Sequence, residues 1–168
     1  MGDGSVSTSP PLCRTATVFA FRGDRARPFV TQFLQALDDE KNLRGPGPTS
    51  LNCLLYAGHA GISVDSGLTI FGFNPDGSGM PIWQLMDGLK KGDAFPGIVR
   101  DDSQVFAAAR QRPLPVVSFD IILPDPQFQK FKQTLDAERR TSNYSYGLPD
   151  GDGDCNCTTW LERLGLPC

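Results

Sequence analysis

The chain has 168 residues, 39% hydrophobic and 21% charged, with a formal net charge of −3 at pH 7. That is the size and composition of one globular domain with a core of its own. A small negative charge with scattered lysines and arginines gives no electrostatic footing for nucleic acid or an anionic membrane, and no run approaches the ~20 apolar residues of a membrane-spanning helix.

Residues 1–13 are rich in Gly, Ser and Pro and read as a flexible lead-in to a single domain over 14–168. The start lacks a basic region followed by an apolar stretch, so no Sec signal is expected, and synthesis in the cytoplasm is. "TATVFAF" (15–21) reads as a strand. "RPFVTQFLQALDDEKNL" (27–43) reads as a helix, with Phe29, Phe33, Leu34 and Leu37 at helical spacing and Pro28 in its first turn. "RGPGPTS" (44–50) ends it. "LNCLLYAGHAGISV" (51–64) and "LTIFGFNP" (68–75) flank the turn "DSG", which predicts a β-hairpin with His59 in its first arm. "DGSGMP" (76–81) is a loop, and "IWQLMDGLKKG" (82–92) is a short helix or an irregular lid. "PLPVVSFDIILP" (113–124) predicts a strand. "DPQFQKFKQTLDAERR" (125–140) predicts a helix, with Phe128, Phe131 and Leu135 on one face. "TSNYSYGLPDGDGD" (141–154) leads into "CTTWLERLGLP" (157–167), a final helix stopped by Gly165 and Pro167. Strands and helices mix without regular βαβ alternation, so the expected class is α+β.

The chain has five cysteines and one histidine, His59. The stretch "GDGDCNCTTWLERLG" (151–165) permits three chemistries. An EF-hand reading starting at Asp150 supplies Asp152 and Asp154 but places Cys155 where Gly is needed and Leu161 where a bidentate Glu is needed. A zinc site or disulfide would have to recruit Cys53 or Cys168. The third chemistry is nucleophilic. A thiol attacks as a thiolate, and its ordinary pKa near 8.5 falls at a helix N-terminus and beside an imidazolium. Cys157 stands where the last helix begins, with Asn156 as a candidate N-cap and its own backbone N–H available to a developing oxyanion. Thr159 with Glu162 offers a competing cap two residues later. The nearby aspartates oppose a thiolate, so an imidazole neighbour is needed. Neither a metal nor any other cofactor is called for.

"GHAGISVDSGLTIFGFNP" resembles the histidine hairpin of the papain-like NlpC-type superfamily, and "NCTTWLERLGLP" resembles the nucleophile helix of its circularly permuted branch. In that branch the His hairpin precedes the Cys helix; here Cys157 follows His59 by 98 positions. The resemblance covers about 30 residues in two segments. It implies an antiparallel sheet packed against helices, including a C-terminal nucleophile helix. It also implies Cys157 as nucleophile and His59 as general base and then acid. In non-permuted relatives a third polar residue lies about twelve positions after the His, which here is Phe71. The alternatives are Thr69, Asn74, a backbone carbonyl, Ser63, Asp65, Ser118 or Asp120, or a dyad with no third residue.

The resemblance implies a hydrolase of an amide or peptide bond acting through a thioester, with a peptide or amide as substrate. An acyltransferase would share the residues, and an inactive papain-like binding module is the reading from a different class. By analogy the chain would be a bacterial effector or toxin, exported by a specialised system such as type VI secretion, acting on peptidoglycan or protein and held in check by a cognate immunity protein.

Overall fold

The computed structural model describes residues 12–22, 58–80, 82–112, 114–148, 153 and 155–166. The helix expected at 27–43, the first half of the strand expected at 51–64, Cys53, Cys168 and the aspartates at 150, 152 and 154 lie outside them. The described residues form an α+β arrangement of six strands and four helices.

In chain order these are β1 (Cys13–Arg22), β2 (Gly58–Ser63), β3 (Phe71–Pro75), α1 (Ile82–Lys91), β4 (Phe95–Asp101), α2 (Ser103–Gln111), β5 (Val116–Pro124), α3 (Asp125–Arg140), β6 (Ser145–Tyr146) and α4 (Cys157–Arg163). The strands make one sheet in the order β5-β1-β2-β3-β4-β6, and every strand pair is antiparallel. The β2–β3 turn uses positive φ at Ser66 and at Gly67, where glycine carries no Cβ to clash. Asp65 holds the turn: its carboxylate accepts from Ser63 Oγ and from the Thr69 N–H.

Period-two alternation gives the sheet two faces. Ala16, Val18, Ala60, Ile62, Phe71, Phe73 and Val99 join Leu85 and Leu89 of α1, Phe128, Phe131 and Leu135 of α3, and Trp160 and Leu161 of α4 in the larger core. Phe19 and Phe21 join Val105, Phe106 and Ala109 of α2 in a smaller one. Helices thus cover both faces.

Residues 93–112 carry no legible signal, yet they form β4 and α2. Pro96 and Gly97 interrupt the strand pattern of β4, and the apolar stripe of α2 is a narrow Val105-Phe106-Ala109 among alanines. The 82–92 stretch is a helix and not a lid. The strand expected from 68 is shorter, beginning at Phe71.

Candidate active site

His59 is the second residue of β2, placed opposite Phe21 of β1 and so on the α2 side of the sheet. Its ring lies 5.9 Å from the Phe106 ring and is buried. Pairing of β2 with β3 covers Gly61↔Gly72 and Ile62↔Phe71, so no ladder bond joins the two strands at the His59 end. α4 packs against both strands, with Trp160 stacked on Phe73 at 5.7 Å between centroids. This packing brings the first residue of α4, Cys157, beside His59.

Asn156 sets the start of α4. Its side-chain oxygen accepts from the Thr158 and Thr159 N–H groups at 2.9 and 3.1 Å, and the Thr159 hydroxyl accepts from the Asn156 N–H at 2.8 Å. This reciprocal cap satisfies amides that the first turn would otherwise leave orphaned. The competing start at Thr159 does not form, because Thr159 is the inner member of the Asn156 box. Cys155 is buried. Its backbone pairs with the β6 segment through Cys155 N–H to Ser145 O and Gly147 N–H to Cys155 O.

His59 Nε2 lies 2.7 Å from Asp102 Oδ2. The same oxygen accepts from Asn74 Nδ2 at 2.7 Å, and Asn74 Nδ2 also donates to Gly72 O at 3.1 Å. All three side chains are buried. With Nε2 committed to Asp102, Nδ1 is the nitrogen left for Cys157. No hydrogen bond of strict geometry reaches it, but the Cys157 sulfur lies close enough to couple to the ring through hydrogen bonding as well as charge. Burial of the ring opposes its protonation, but the Asp102 carboxylate and the Cys157 sulfur outweigh burial and push the His59 pKa up to about 9. Burial likewise disfavours the Cys157 thiolate. The His59 imidazolium, the Ala60 backbone amide and the Thr158 hydroxyl more than offset this and hold the thiol pKa below its ordinary value. Cys157 is a free thiol and half-buried as a residue. The Tyr146 phenol nearby is pushed up by burial and by the Cys157 and Cys155 sulfurs, so it remains a neutral donor.

The structure therefore brings together Cys157, His59, Asn74 and Asn156 of the residues the sequence pointed to. Asn74 touches Asp102 and not the imidazole. Thr69, Ser63 and Asp65 are occupied in the hairpin turn. Ser118 and Asp120 sit on β5, with β1 between them and β2; Asp120 accepts from Thr17 Oγ1 at 2.7 Å. Phe71 turns into the larger core. The residue that grips the imidazole is Asp102, which follows β4 and precedes α2.

The sequence does carry a trace of Asp102, in that Asp-Ser before an apolar run reads as a helix N-cap. Asp102 occupies that N-cap position but makes no side-chain cap bond to α2. The carboxylate turns to His59 instead, so a residue suited to one local job does a different, long-range one. No protein-family model, curated protein or solved structure matches this chain.

Proposed function

We propose that the chain is a thiol-dependent hydrolase of amide or peptide bonds, with Cys157 as nucleophile, His59 as general base and acid, and Asp102 as the group that orients His59. The observation that carries this reading is the buried 2.7 Å contact between His59 Nε2 and Asp102, which directs the other nitrogen of the chain's one histidine to a free thiol of lowered pKa. A nucleophile, a base and an orienting group in sequence is the arrangement that activates a weak nucleophile. A permuted papain-like fold is part of the same proposal, supported by the order of His hairpin and Cys helix in the chain and by their meeting across one antiparallel sheet.

In this mechanism the thiolate adds to the carbonyl carbon and the carbonyl π pair moves to oxygen. The tetrahedral intermediate collapses as the C–N bond breaks, and the proton on His59 Nδ1 goes to the departing nitrogen. The neutral imidazole then takes a proton from water, whose oxygen attacks the thioester. Collapse releases the carboxylic acid and returns the thiolate–imidazolium pair. A different acceptor in place of water makes the same site an acyltransferase.

The test is labelling with a thiol-reactive probe at neutral pH, together with turnover of peptide and muropeptide amides. Cys157 should label selectively, His59→Ala should slow that labelling, and Cys157→Ala should remove turnover, a fall on the order of 10⁴-fold or more, with an unchanged circular dichroism spectrum. Uniform slow labelling of all five cysteines, or an active Cys157→Ala protein, would defeat the assignment and favour a binding module. Toxicity of the wild type confined to the periplasm would support a peptidoglycan target; toxicity in the cytosol would support a protein target.

A further inference from the structure

β5 is nine residues long and ends the sheet; among the described residues its one neighbour is β1. Proteins blunt such edges with several charged side chains, Lys above all, with Pro inside the strand, with a bulge or with a covering helix or loop. β5 has no Lys and no bulge; its one charge is Asp120 and its one Pro, Pro124, stands at its last position. Instead it exposes large apolar side chains: Val117 is 58%, Phe119 50% and Ile122 69% exposed.

We propose that two copies of this chain pair through β5, antiparallel about a two-fold axis at Phe119, to join their sheets into one. A two-fold axis perpendicular to the sheet keeps each side chain on its own face, so the permitted registers are those centred on a residue. Centring on Asp120 sets two carboxylates directly opposite each other, which is destabilising. Centring on Ser118 or Ile121 sets Asp120 against Val116 or Ile122, and centring on Val117 sets it against Leu114, outside the strand. Centring on Phe119 sets Phe119 against the partner's Phe119, Val117 against the partner's Ile121 and Val116 against the partner's Ile122. Ser118 then faces the partner's Asp120, and its hydroxyl can donate to that carboxylate, which has acceptor capacity beyond its bond from Thr17. In this register each apolar side chain meets an apolar one, the one charge meets a donor, and the outer N–H and C=O groups of both strands gain partners.

The experiment is sedimentation equilibrium of the full chain from low micromolar to millimolar concentration, with a reductant present so that thiols cannot link copies. The wild type should dimerise. Ser118→Asp, which sets Asp opposite the partner's Asp120, should raise the dissociation constant at least about tenfold, and Ser118→Lys should lower it. Ser118 is exposed, so both variants should keep the wild-type circular dichroism spectrum and turnover. A wild type that remains monomeric throughout, or a dimer that the two Ser118 variants do not shift in opposite directions, overturns the proposal.

Discussion

The side chain of Asp102 occupies the room that a side chain at Gly72 would need: a Cβ there would overlap both Asp102 Oδ2 and His59 Nε2. β3 therefore leaves an opening at Gly72, one residue past the Phe71 position where the resemblance puts a polar side chain, and the end of the neighbouring strand fills it with a carboxylate. Gly72→Ala should wedge the two groups apart. We expect a fall in kcat/KM on the order of 10²-fold, the usual cost of an ångström-scale misplacement, with about 1–3 kcal/mol lost by overpacking. Steady-state kinetics and urea unfolding of the same variant check both numbers.

Asp102→Asn should lower turnover by about 10²- to 10⁴-fold, the span associated with a positioned acid–base group. It should also bring the upper limb of the pH–activity profile down from about 9 toward the ordinary imidazole range, because the carboxylate is the first group that raises the His59 pKa against burial. A pH–rate profile that keeps its upper limb would assign Asp102 to stability alone. Because the Asp102 side chain does not cap α2, exchange protection of α2 should be unchanged.

Linked titration fixes the pH dependence of stability. His59 is raised from 6.5, so its contribution is complete below 6.5 and is lost as pH climbs through about 9. Cys157 is lowered from 9.0, so its contribution is complete above 9.0 and is lost as pH falls through the depressed value. Above 6.5 and the depressed thiol value, and below about 9, the folded pair holds its one proton on His59 while the unfolded pair holds one on Cys157. The proton counts match and the pair contributes no slope. Urea midpoints of the wild type and of a His59→Ala/Cys157→Ala double variant should run parallel through that window.

Asn156→Ala removes the cap from a helix of seven residues. The expected cost is about 1 kcal/mol, concentrated in α4, where amide exchange should quicken. Cys157 labelling should slow in parallel, because the sulfur loses its fixed approach to His59. Asn156→Ser retains a capping oxygen and should restore most of both readouts.

The meeting of Cys157 and His59, the proposed nucleophile and base, was legible in the sequence because each rests on a local pattern: a histidine in a strand before a turn, and a cysteine before a capped apolar run. The 125–140 helix was legible for the same reason, with Pro126 in its first turn and its apolar face intact. Asp102 was not, since its role depends on β4 lying beside β3 and on Gly72 being vacant, a sheet relationship that spacing along the chain does not carry. β4 itself was hidden by Pro96 and Gly97, which read as loop until a partner strand on each side gives them a ladder to join. Asn74, one of several alternatives for orienting the imidazole directly, bonds one step back, to the carboxylate.

The scattering of the site along the chain has a consequence during synthesis. The ring is translated first, its carboxylate partner 43 positions later, and the sulfur last of the three. A nascent chain can thus complete the sheet around an idle imidazole, and Cys157 meets it only once α4 has left the ribosome and docked. Under the proposed mechanism, bond-breaking capacity is withheld until the fold around it is essentially built.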